Sequence, residues 1–209
     1  MLSFNKKEIK NIIFDLGGIF MNLDYSLTEK AFIQLGAINF HELYTQHHAN
    51  PLFEQLETGK ISSIEFCDEL RKATNTTLSN NEIFTAWNAM LLDFPIERLQ
   101  WLQQIKQRYN IYLYSNTNQI HYDAFIEIAN KTIGSSTFNS YFIKAYYSHE
   151  LGLRKPYAAS YTAILKEQNL IAAETLFIDD TLKNVTGAQE AGLQTLHLVA
   201  PNTVLDLDL

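Results

Sequence analysis

Residues 12–18 read IIFDLGG, a short apolar run that ends in a carboxylate and is followed closely by two glycines. A run of this kind, without alternating polar residues, is typical of a strand that is covered on both faces of a sheet. In open α/β sheets, ligands bind beyond the carboxyl ends of the strands. Asp15 is therefore predicted to lie where a ligand binds, and the glycines let the backbone approach that ligand closely.

Similar short apolar runs recur along the chain, between segments with helical periodicity. Strands are predicted at Asn11–Phe14, Ile111–Tyr114, Ile143–Tyr147, Thr175–Ile178 and Thr195–Val199. Helices are predicted at Ile96–Arg108, Ile120–Ala129, Pro156–Gln168 and Lys183–Ala191. This alternation predicts an α/β fold with a doubly wound, Rossmann-like parallel sheet.

One long segment interrupts the alternation. From Asn22 to Leu92 the pattern is helical and no strand is predicted. Ser26 and Glu29 have the spacing of a capping box, and Ser62 or Ser63 is expected to cap a later helix. The chain is therefore predicted to have an α/β core, residues 1–20 and 94–209, with an inserted α-helical cap domain, residues 21–93. Residues 201–209 show no strong pattern and are expected to form a loosely held tail.

Polar residues also follow the second predicted strand and precede a later helix. Ser115 and Asn116 come where the run IYLY ends, and a hydroxyl and backbone amides there can bind phosphate oxygens. A simple Ser/Asn turn is the alternative interpretation. Lys155 precedes Pro156, which suits the first position of a helix, so the lysine is placed at a loop–helix junction. A solvated surface lysine is the alternative there.

Two adjacent carboxylates, Asp179 and Asp180, follow the strand predicted at Thr175–Ile178. Clustered carboxylates repel one another unless a cation neutralises them. Together with Asp15 they would form an all-oxygen site of the kind that Mg²⁺ prefers. Asn184 follows Asp180 by four residues and faces the same side if that turn is helical.

Four segments, FDLGG, YSNTN, LGLRKP and FIDD, occur in this order and resemble the four motifs of haloacid dehalogenase-type hydrolases. The resemblance covers the whole chain, including a helical cap inserted after the first motif. The stretch SNTNQIH, with LGLRKP and FIDD, is particularly similar to bacterial glucose-1-phosphate phosphatase-like members. The resemblance implies a Mg²⁺-dependent phosphatase that acts on a small phosphorylated metabolite, with a sugar phosphate as one candidate.

The same resemblance implies how the acidic residues would act. Asp15 would attack phosphorus and form an aspartyl-phosphate, which splits one displacement into two. Mg²⁺ would be held by the Asp15 carboxylate, the Gly17 carbonyl and Asp180. Asp179 would bind the metal directly or through a water molecule.

The remaining matched residues would bind the phosphoryl group. Ser115 and the backbone amide of Asn116 would hold its oxygens, while Lys155 would offset the charge on the nucleophile and on the substrate. Asn184 is expected to support the site from the neighbouring helix. The exact substrate is not indicated by these motifs.

The sequence departs from the family at Gly17, because family phosphatases commonly carry a second aspartate two residues after the nucleophile. That aspartate protonates the leaving oxygen and later activates water, a contribution of roughly 10²–10⁴-fold in rate. Three explanations stay open: water or a side chain such as Asp24 replaces it, the substrate has a good leaving group, or the protein is a catalytically weak or inactive phosphometabolite-binding protein.

A haloacid dehalogenase would also lack this aspartate, but it needs no metal, so the pair Asp179 and Asp180 makes that activity less favoured.

Composition limits the partners and the compartment. The net charge is −7 and no basic run is present, so a nucleic-acid partner is not expected. The N-terminal apolar run is too short to span a membrane or to form the core of a signal peptide. The single cysteine, Cys67, fits a packing role in a reducing compartment, and a cytoplasmic location is predicted. The oligomeric state is not indicated.

Overall fold

The computed structural model describes residues 5–45, 48–49, 51–134 and 137–209. The strands are β1 (Asn11–Phe14), β2 (Tyr44–Thr45), β3 (His48–Ala49), β4 (Asn110–Ser115), β5 (Lys144–Tyr147), β6 (Thr175–Asp179) and β7 (Gln194–His197). The α-helices are α1 (Tyr25–Gln34), α2 (Phe40–Leu43), α3 (Pro51–Glu57), α4 (Ser63–Thr74), α5 (Asn80–Asn88), α6 (Ile96–Ile105), α7 (Gln119–Ile133), α8 (Ser148–Leu151), α9 (Ala158–Glu167) and α10 (Leu182–Glu190). Among these residues no helix is long and apolar enough to cross a membrane.

Five strands form one parallel sheet in the order β5-β4-β1-β6-β7. β1 lies in the middle, and Phe14 is in register with Leu113 of β4 and with Ile178 of β6. Phe14 packs into one apolar cluster and Ile13 into another, so both faces of the sheet are covered. The predicted Rossmann-like α/β fold is confirmed, and the parallel strands bring their carboxyl ends to one edge.

The predicted strands agree with the observed ones to within two residues at each end. Helix ends agree less well, since α7 continues four residues beyond Ala129, to Ile133. The prediction that Pro156 begins a helix is wrong. α9 begins at Ala158, because Tyr157 has an extended backbone (φ −63°, ψ 121°) and occupies the N-cap position. Pro156 therefore belongs to the preceding loop.

Helices α1 to α5 enclose an apolar cluster of their own. Cys67 is buried in it, which confirms the predicted packing role, and its large aromatic members are Phe32, Phe40, Phe53, Phe66 and Trp87. Ile120 of α7 joins the same cluster, so this helical segment packs against the part of the chain that carries the sheet. The boundaries of core and cap, residues 1–20 with 94–209 and residues 21–93, stay a prediction.

Two local predictions for the helical segment are wrong. β2 and β3 form an antiparallel pair where the sequence predicts no strand. The capping box at Ser26 and Glu29 does not form, because Asp24 is the N-cap of α1 and its carboxylate accepts a hydrogen bond from the Ser26 amide at 2.9 Å. At α4 the prediction is confirmed, since Ser62 and Glu65 form a capping box.

The expectation of a loosely held C-terminal tail is also wrong. Val204 and Leu209 are buried in the apolar cluster on one face of the sheet, and Leu207 packs against that cluster. Arg108 donates a hydrogen bond to the carbonyl oxygen of Leu209. Val204, Leu207 and Leu209 thus turn toward the core, while Leu205, Asp206 and Asp208 stay exposed.

Candidate active site

The carboxyl ends of three neighbouring strands meet at one edge of the sheet. Asp15 follows β1 directly, Ser115 ends β4 and Asp179 ends β6. A cavity of about 570 Å³ opens at this edge, and its wall includes Asp15, Ser115 and Asp180 together with residues of the helical segment. The structure therefore brings together the strand-end residues that the sequence singles out.

Lys155 is buried at this edge between two carboxylates. Its Nζ lies 2.6 Å from Asp15 Oδ1 and 2.7 Å from Asp179 Oδ2. Although burial opposes a charge on the lysine, the two carboxylates raise the pKa of Lys155 above its ordinary value, so it stays protonated. Only 1% of its side chain is exposed, which rules out the solvated surface lysine.

Asp179 is fully buried and accepts several hydrogen bonds. Its carboxylate accepts from the backbone amide of Thr181 at 2.8 Å and from Asn184 Nδ2 at 3.0 and 3.1 Å. Asn184 thus lies on the first turn of α10, as its spacing predicts, and fixes the orientation of Asp179. The contact from the Thr181 amide has no signal in the sequence pattern.

The carboxylates of Asp15, Asp179 and Asp180 form a group that can hold a metal ion, with one oxygen of each within 4.8 Å of the others. Burial raises the pKa of Asp15 and of Asp180, and Asp179 raises both further. Lys155 opposes these shifts but is a single positive charge beside three carboxylates. A divalent cation would relieve the repulsion, and an all-oxygen donor set is the one that Mg²⁺ prefers. The residues present therefore fit the predicted Mg²⁺.

Two glycines lie beside this group. Gly18 has φ +70°, and a Cβ atom there would lie 2.3 Å from Asp180 Oδ2, so glycine is required next to this carboxylate. Gly17 lines the cavity, and a Cβ atom on it would lie 2.6 Å from Leu23 Cδ1. A side chain at this position would therefore meet the terminal methyl group of Leu23, which would have to shift to admit it. The contribution of the Gly17 carbonyl to metal binding stays a prediction.

The loop after β4 carries Ser115 and Asn116. Ser115 lines the cavity and is almost fully buried. The Asn116 side chain accepts a hydrogen bond from the Lys155 amide at 2.9 Å and donates one to the Lys155 carbonyl at 3.0 Å. Asn116 therefore ties its own loop to the loop that carries Lys155, a positioning role that the sequence does not suggest.

Several residues that the sequence does not single out also line the cavity. The helical segment contributes Tyr25, Tyr44 and Glu57, and the loop before α9 contributes Arg154. The position of Arg154 next to Lys155 is a signal that could have found it. The orientations of Tyr25, Tyr44 and Glu57 depend on how the helical segment packs on the sheet, which periodicity does not reveal.

Asp24, the candidate acid–base group, does not line this cavity. Its carboxylate is engaged with the amide of Ser26 at the start of α1, and this hydrogen bonding lowers the pKa of Asp24. A carboxylate held in this way is a helix cap and not a proton donor at the site. Another source must supply the proton, or the substrate must have a good leaving group.

Mg²⁺ is expected to stabilise the folded protein. At about 100 Kd, binding to the folded state alone adds about 2.7 kcal/mol, which corresponds to a rise in Tm of roughly 5–10 °C for a chain of this size. Asp180→Asn should remove most of this shift, whereas Asp24→Asn, which changes a carboxylate outside the cavity, should retain it. Thermal melts with Mg²⁺ and with a chelator measure the effect, and a shift that survives Asp180→Asn would contradict the metal assignment.

Comparisons with known proteins agree with this geometry. Residues 9–192 match the family model described as haloacid dehalogenase-like hydrolase. The D-ribitol-5-phosphate phosphatase of Bacteroides thetaiotaomicron is 31% identical over 191 residues, which cover 90% of this chain and 91% of that protein. The sesquiterpene phosphatase astK of Aspergillus oryzae is 29% identical, with coverage of 90% of this chain and 89% of that protein.

Solved structures give the same result. A HAD family enzyme from Bacteroides thetaiotaomicron, crystallised as a variant in complex with magnesium and inorganic phosphate, is 34% identical and superimposes with a TM-score of 0.88 over 93% of this chain and 96% of that one. A HAD-like family hydrolase from Porphyromonas gingivalis is 28% identical, with a TM-score of 0.81 and 90% of each chain covered. The chain therefore belongs to the haloacid dehalogenase-like hydrolase family.

Proposed function

We propose that this chain is a Mg²⁺-dependent phosphomonoesterase that acts on a small phosphorylated metabolite, with sugar phosphates as the favoured class. The observation that carries the proposal is Lys155 Nζ, which lies 2.6 Å from Asp15 and 2.7 Å from Asp179 beside a group of carboxylates that fits Mg²⁺. A lysine and a divalent cation together offset the charges of a nucleophilic carboxylate and a phosphate monoester. The similarity to a D-ribitol-5-phosphate phosphatase and to a structure that holds magnesium and inorganic phosphate supports it.

Asp15 is proposed to act as the nucleophile. One of its carboxylate oxygens attacks phosphorus, the bond between phosphorus and the ester oxygen breaks, and an aspartyl-phosphate forms. The departing oxygen takes up a proton and leaves as an alcohol. Water then attacks phosphorus, which releases inorganic phosphate and restores the Asp15 carboxylate.

Three residues are proposed to bind the phosphoryl group. Ser115 and the backbone amide of Asn116 hold its oxygens, and Lys155 stabilises the charge that develops on them. Because Lys155 is fixed by Asn116 and by two carboxylates, it needs little rearrangement when the substrate binds.

Asp15, Asp180 and the Gly17 carbonyl are proposed to hold Mg²⁺, with Asp179 acting directly or through water. Asn184 orients Asp179 for this role. When bound, Mg²⁺ supplies positive charge next to the phosphoryl oxygens and to Asp15.

Two other activities are less well supported. A dehalogenase needs no metal, whereas here three carboxylates lie within 4.8 Å of one another. The likeness to the L-2-haloacid dehalogenase RSc1362, at 22% identity and a TM-score of 0.58, shows the fold alone. The observation that favours an inactive phosphometabolite-binding protein is Gly17 itself, which offers no side chain for proton transfer. The relatives with phosphatase activity in their names do not favour it.

Partner and compartment follow from composition. The net charge of −7 and the scattered basic residues favour a small-molecule partner over a nucleic acid. Cys67 is a free, buried thiol, which favours a reducing compartment and is the basis for proposing a cytoplasmic location.

A phosphate-release screen over phosphorylated metabolites, with Mg²⁺ and with a chelator, tests the proposal. We expect Mg²⁺-dependent release from at least one sugar or alditol phosphate. Release that is indifferent to chelation would overturn the mechanism. Tight Mg²⁺-dependent binding without release of phosphate from any compound would favour the binding protein.

A further inference from the structure

The cavity is larger than a phosphate group requires. Its volume of about 570 Å³ lies within the range of roughly 300–1,000 Å³ that is usual for sites that enclose whole small molecules. Beyond the wall around Asp15, the polar residues Glu57, Arg154, Tyr25 and Tyr44 line this space. These four residues have no part in the proposed phosphoryl transfer.

Glu57 and Arg154 lie close together but are imperfectly paired. Glu57 Oε2 is 3.0 Å from Arg154 Nη2, near enough for an ion pair but misaligned for a hydrogen bond. This oxygen and Arg154 Nε are both enclosed, and neither has a hydrogen-bond partner among the residues that the structure describes. Buried polar atoms are normally hydrogen-bonded to protein, water or a ligand. An unmatched acceptor and an unmatched donor therefore belong to residues of the cavity wall.

Tyr25 and Tyr44 add two phenolic hydroxyl groups to the same wall. Burial raises the pKa of both, so each hydroxyl stays protonated and can donate as well as accept a hydrogen bond. The wall therefore offers one carboxylate, one guanidinium group and two hydroxyls. These groups can hydrogen-bond a ligand whose neighbouring oxygens both donate and accept hydrogen bonds. A chain of hydroxyl groups has this character, and a plain alkyl chain does not.

The backbone fixes Glu57 relative to Arg154. Glu57 is the last residue of α3, and the turn that follows passes so close to α8 that a Cβ atom on Gly59 would lie 2.3 Å from the His149 carbonyl oxygen. α8 leads directly into the loop that carries Arg154. Glu54, one turn earlier on α3, also contacts Arg154, at 3.4 Å, but does not line the cavity. Glu54 therefore provides a matched control for Glu57.

We propose that Glu57 and Arg154 form a hydroxyl-binding subsite that selects a polyhydroxylated phosphate monoester, such as an alditol or sugar phosphate, over a plain alkyl phosphate. The inference rests on the proposed phosphatase function, because it places the phosphate of the same ligand beside Asp15. The Glu57 carboxylate accepts hydrogen bonds from substrate hydroxyls, and the guanidinium group of Arg154, whose side chain is 21% exposed, donates to one of their oxygens. A site built to hydrogen-bond hydroxyl groups rejects an analogue without them, since its buried polar atoms are then left unpaired.

The test compares the binding of a five-carbon alditol phosphate and of n-pentyl phosphate by calorimetry, with Mg²⁺, to full-length protein that carries Asp15→Asn to prevent turnover. We expect tighter binding of the alditol phosphate. Adding Glu57→Gln should weaken alditol phosphate binding by about 10–100-fold and leave n-pentyl phosphate binding unchanged, as expected for loss of a charged hydrogen-bond acceptor. Adding Glu54→Gln instead should change neither. A thermal melt of each variant reports whether it is folded.

Equal binding of the two compounds before Glu57 is changed would overturn the subsite. So would a Glu57→Gln effect that is the same for both compounds or that Glu54→Gln reproduces, because either result would mean a general structural role. If Glu57→Gln does not fold, the comparison of the two compounds with Glu57 present decides the question. Phosphate release by the unmodified protein is measured separately: its absence would count against the phosphatase, while a binding preference would still support the subsite.

Discussion

Replacement of Asp15 by asparagine is expected to abolish phosphate release, with kcat reduced by on the order of 10⁴-fold or more. A carboxamide is a weak nucleophile and cannot form the acyl-phosphate. The variant should still fold, because the amide has the shape of the carboxylate and its neutrality removes repulsion from Asp179 and Asp180. Phosphate-release assays with Mg²⁺ and with the best substrate from the screen measure the effect.

The matched control for this experiment is Asp24→Asn. It makes the same chemical change at a carboxylate that caps α1 and does not line the cavity. Asparagine is as good an N-cap as aspartate, so both stability and phosphate release should stay near those of the unmodified protein. If the Asp15→Asn and Asp24→Asn variants released phosphate at similar rates, Asp15 would not be the nucleophile.

Replacement of Lys155 by methionine is expected to destabilise the fold as well as to stop catalysis. Without the ammonium group, Asp15 and Asp179 are left as uncompensated carboxylates in a buried site. Breaking a buried ion pair by removing one partner typically costs about 3–5 kcal/mol in the free energy of unfolding. Chemical denaturation without Mg²⁺ measures this loss, and adding Mg²⁺ should recover part of it, because the metal ion then offsets the same carboxylates.

Lys183→Met is the control for this prediction. Lys183 also lines the cavity, but its side chain is exposed, so its removal leaves no buried charge. We expect a change within about 0.5 kcal/mol, as for most surface substitutions. If the Lys155 and Lys183 variants lose the same stability, Lys155 is not the counter-ion of the buried carboxylates.

Much of the sheet could be predicted from the sequence because its strands are buried on both faces. Such strands appear in the sequence as short apolar runs. For this reason Phe14 and Ile178 are correctly predicted to lie in buried strands. The end of the chain could not be predicted in the same way. Val204 and Leu209 are too few to form a periodic pattern, and their burial depends on a cluster built from distant parts of the chain.

The catalytic edge could be predicted because its residues follow strand ends, which parallel pairing brings together. Asp15, Asp179 and Asp180 therefore meet as expected. The part of the cavity around Glu57 and Arg154 could not be predicted in this way. The two side chains come close together only because α3 packs beside α8. Local pattern carries no information on such packing between separate elements.

Local competition between two possible caps explains the error at the start of α1. Asp24 and Ser26 can each cap a helix, and the hydrogen bond from the Ser26 amide to Asp24 decides the start of α1. Asp24 does not line the cavity, so it does not replace the proton-transfer group that Gly17 lacks. In the proposed mechanism the aspartyl-phosphate is therefore hydrolysed without the usual aspartate as base.

The central claim is that Asp15 carries the phosphoryl group during turnover. An aspartate at Gly17 would assist both steps, so the test uses a phosphate ester with a good leaving group, whose first step needs little acid. With such a substrate only the second step is slowed by the missing base, and the intermediate should accumulate. Rapid acid quenching of the reaction, followed by mass spectrometry of its peptides, measures this directly. We predict one phosphoryl group on the peptide that contains Asp15 and none in the Asp15→Asn variant. A burst of alcohol release without a phosphorylated peptide, or with the phosphoryl group on another residue, would contradict the account.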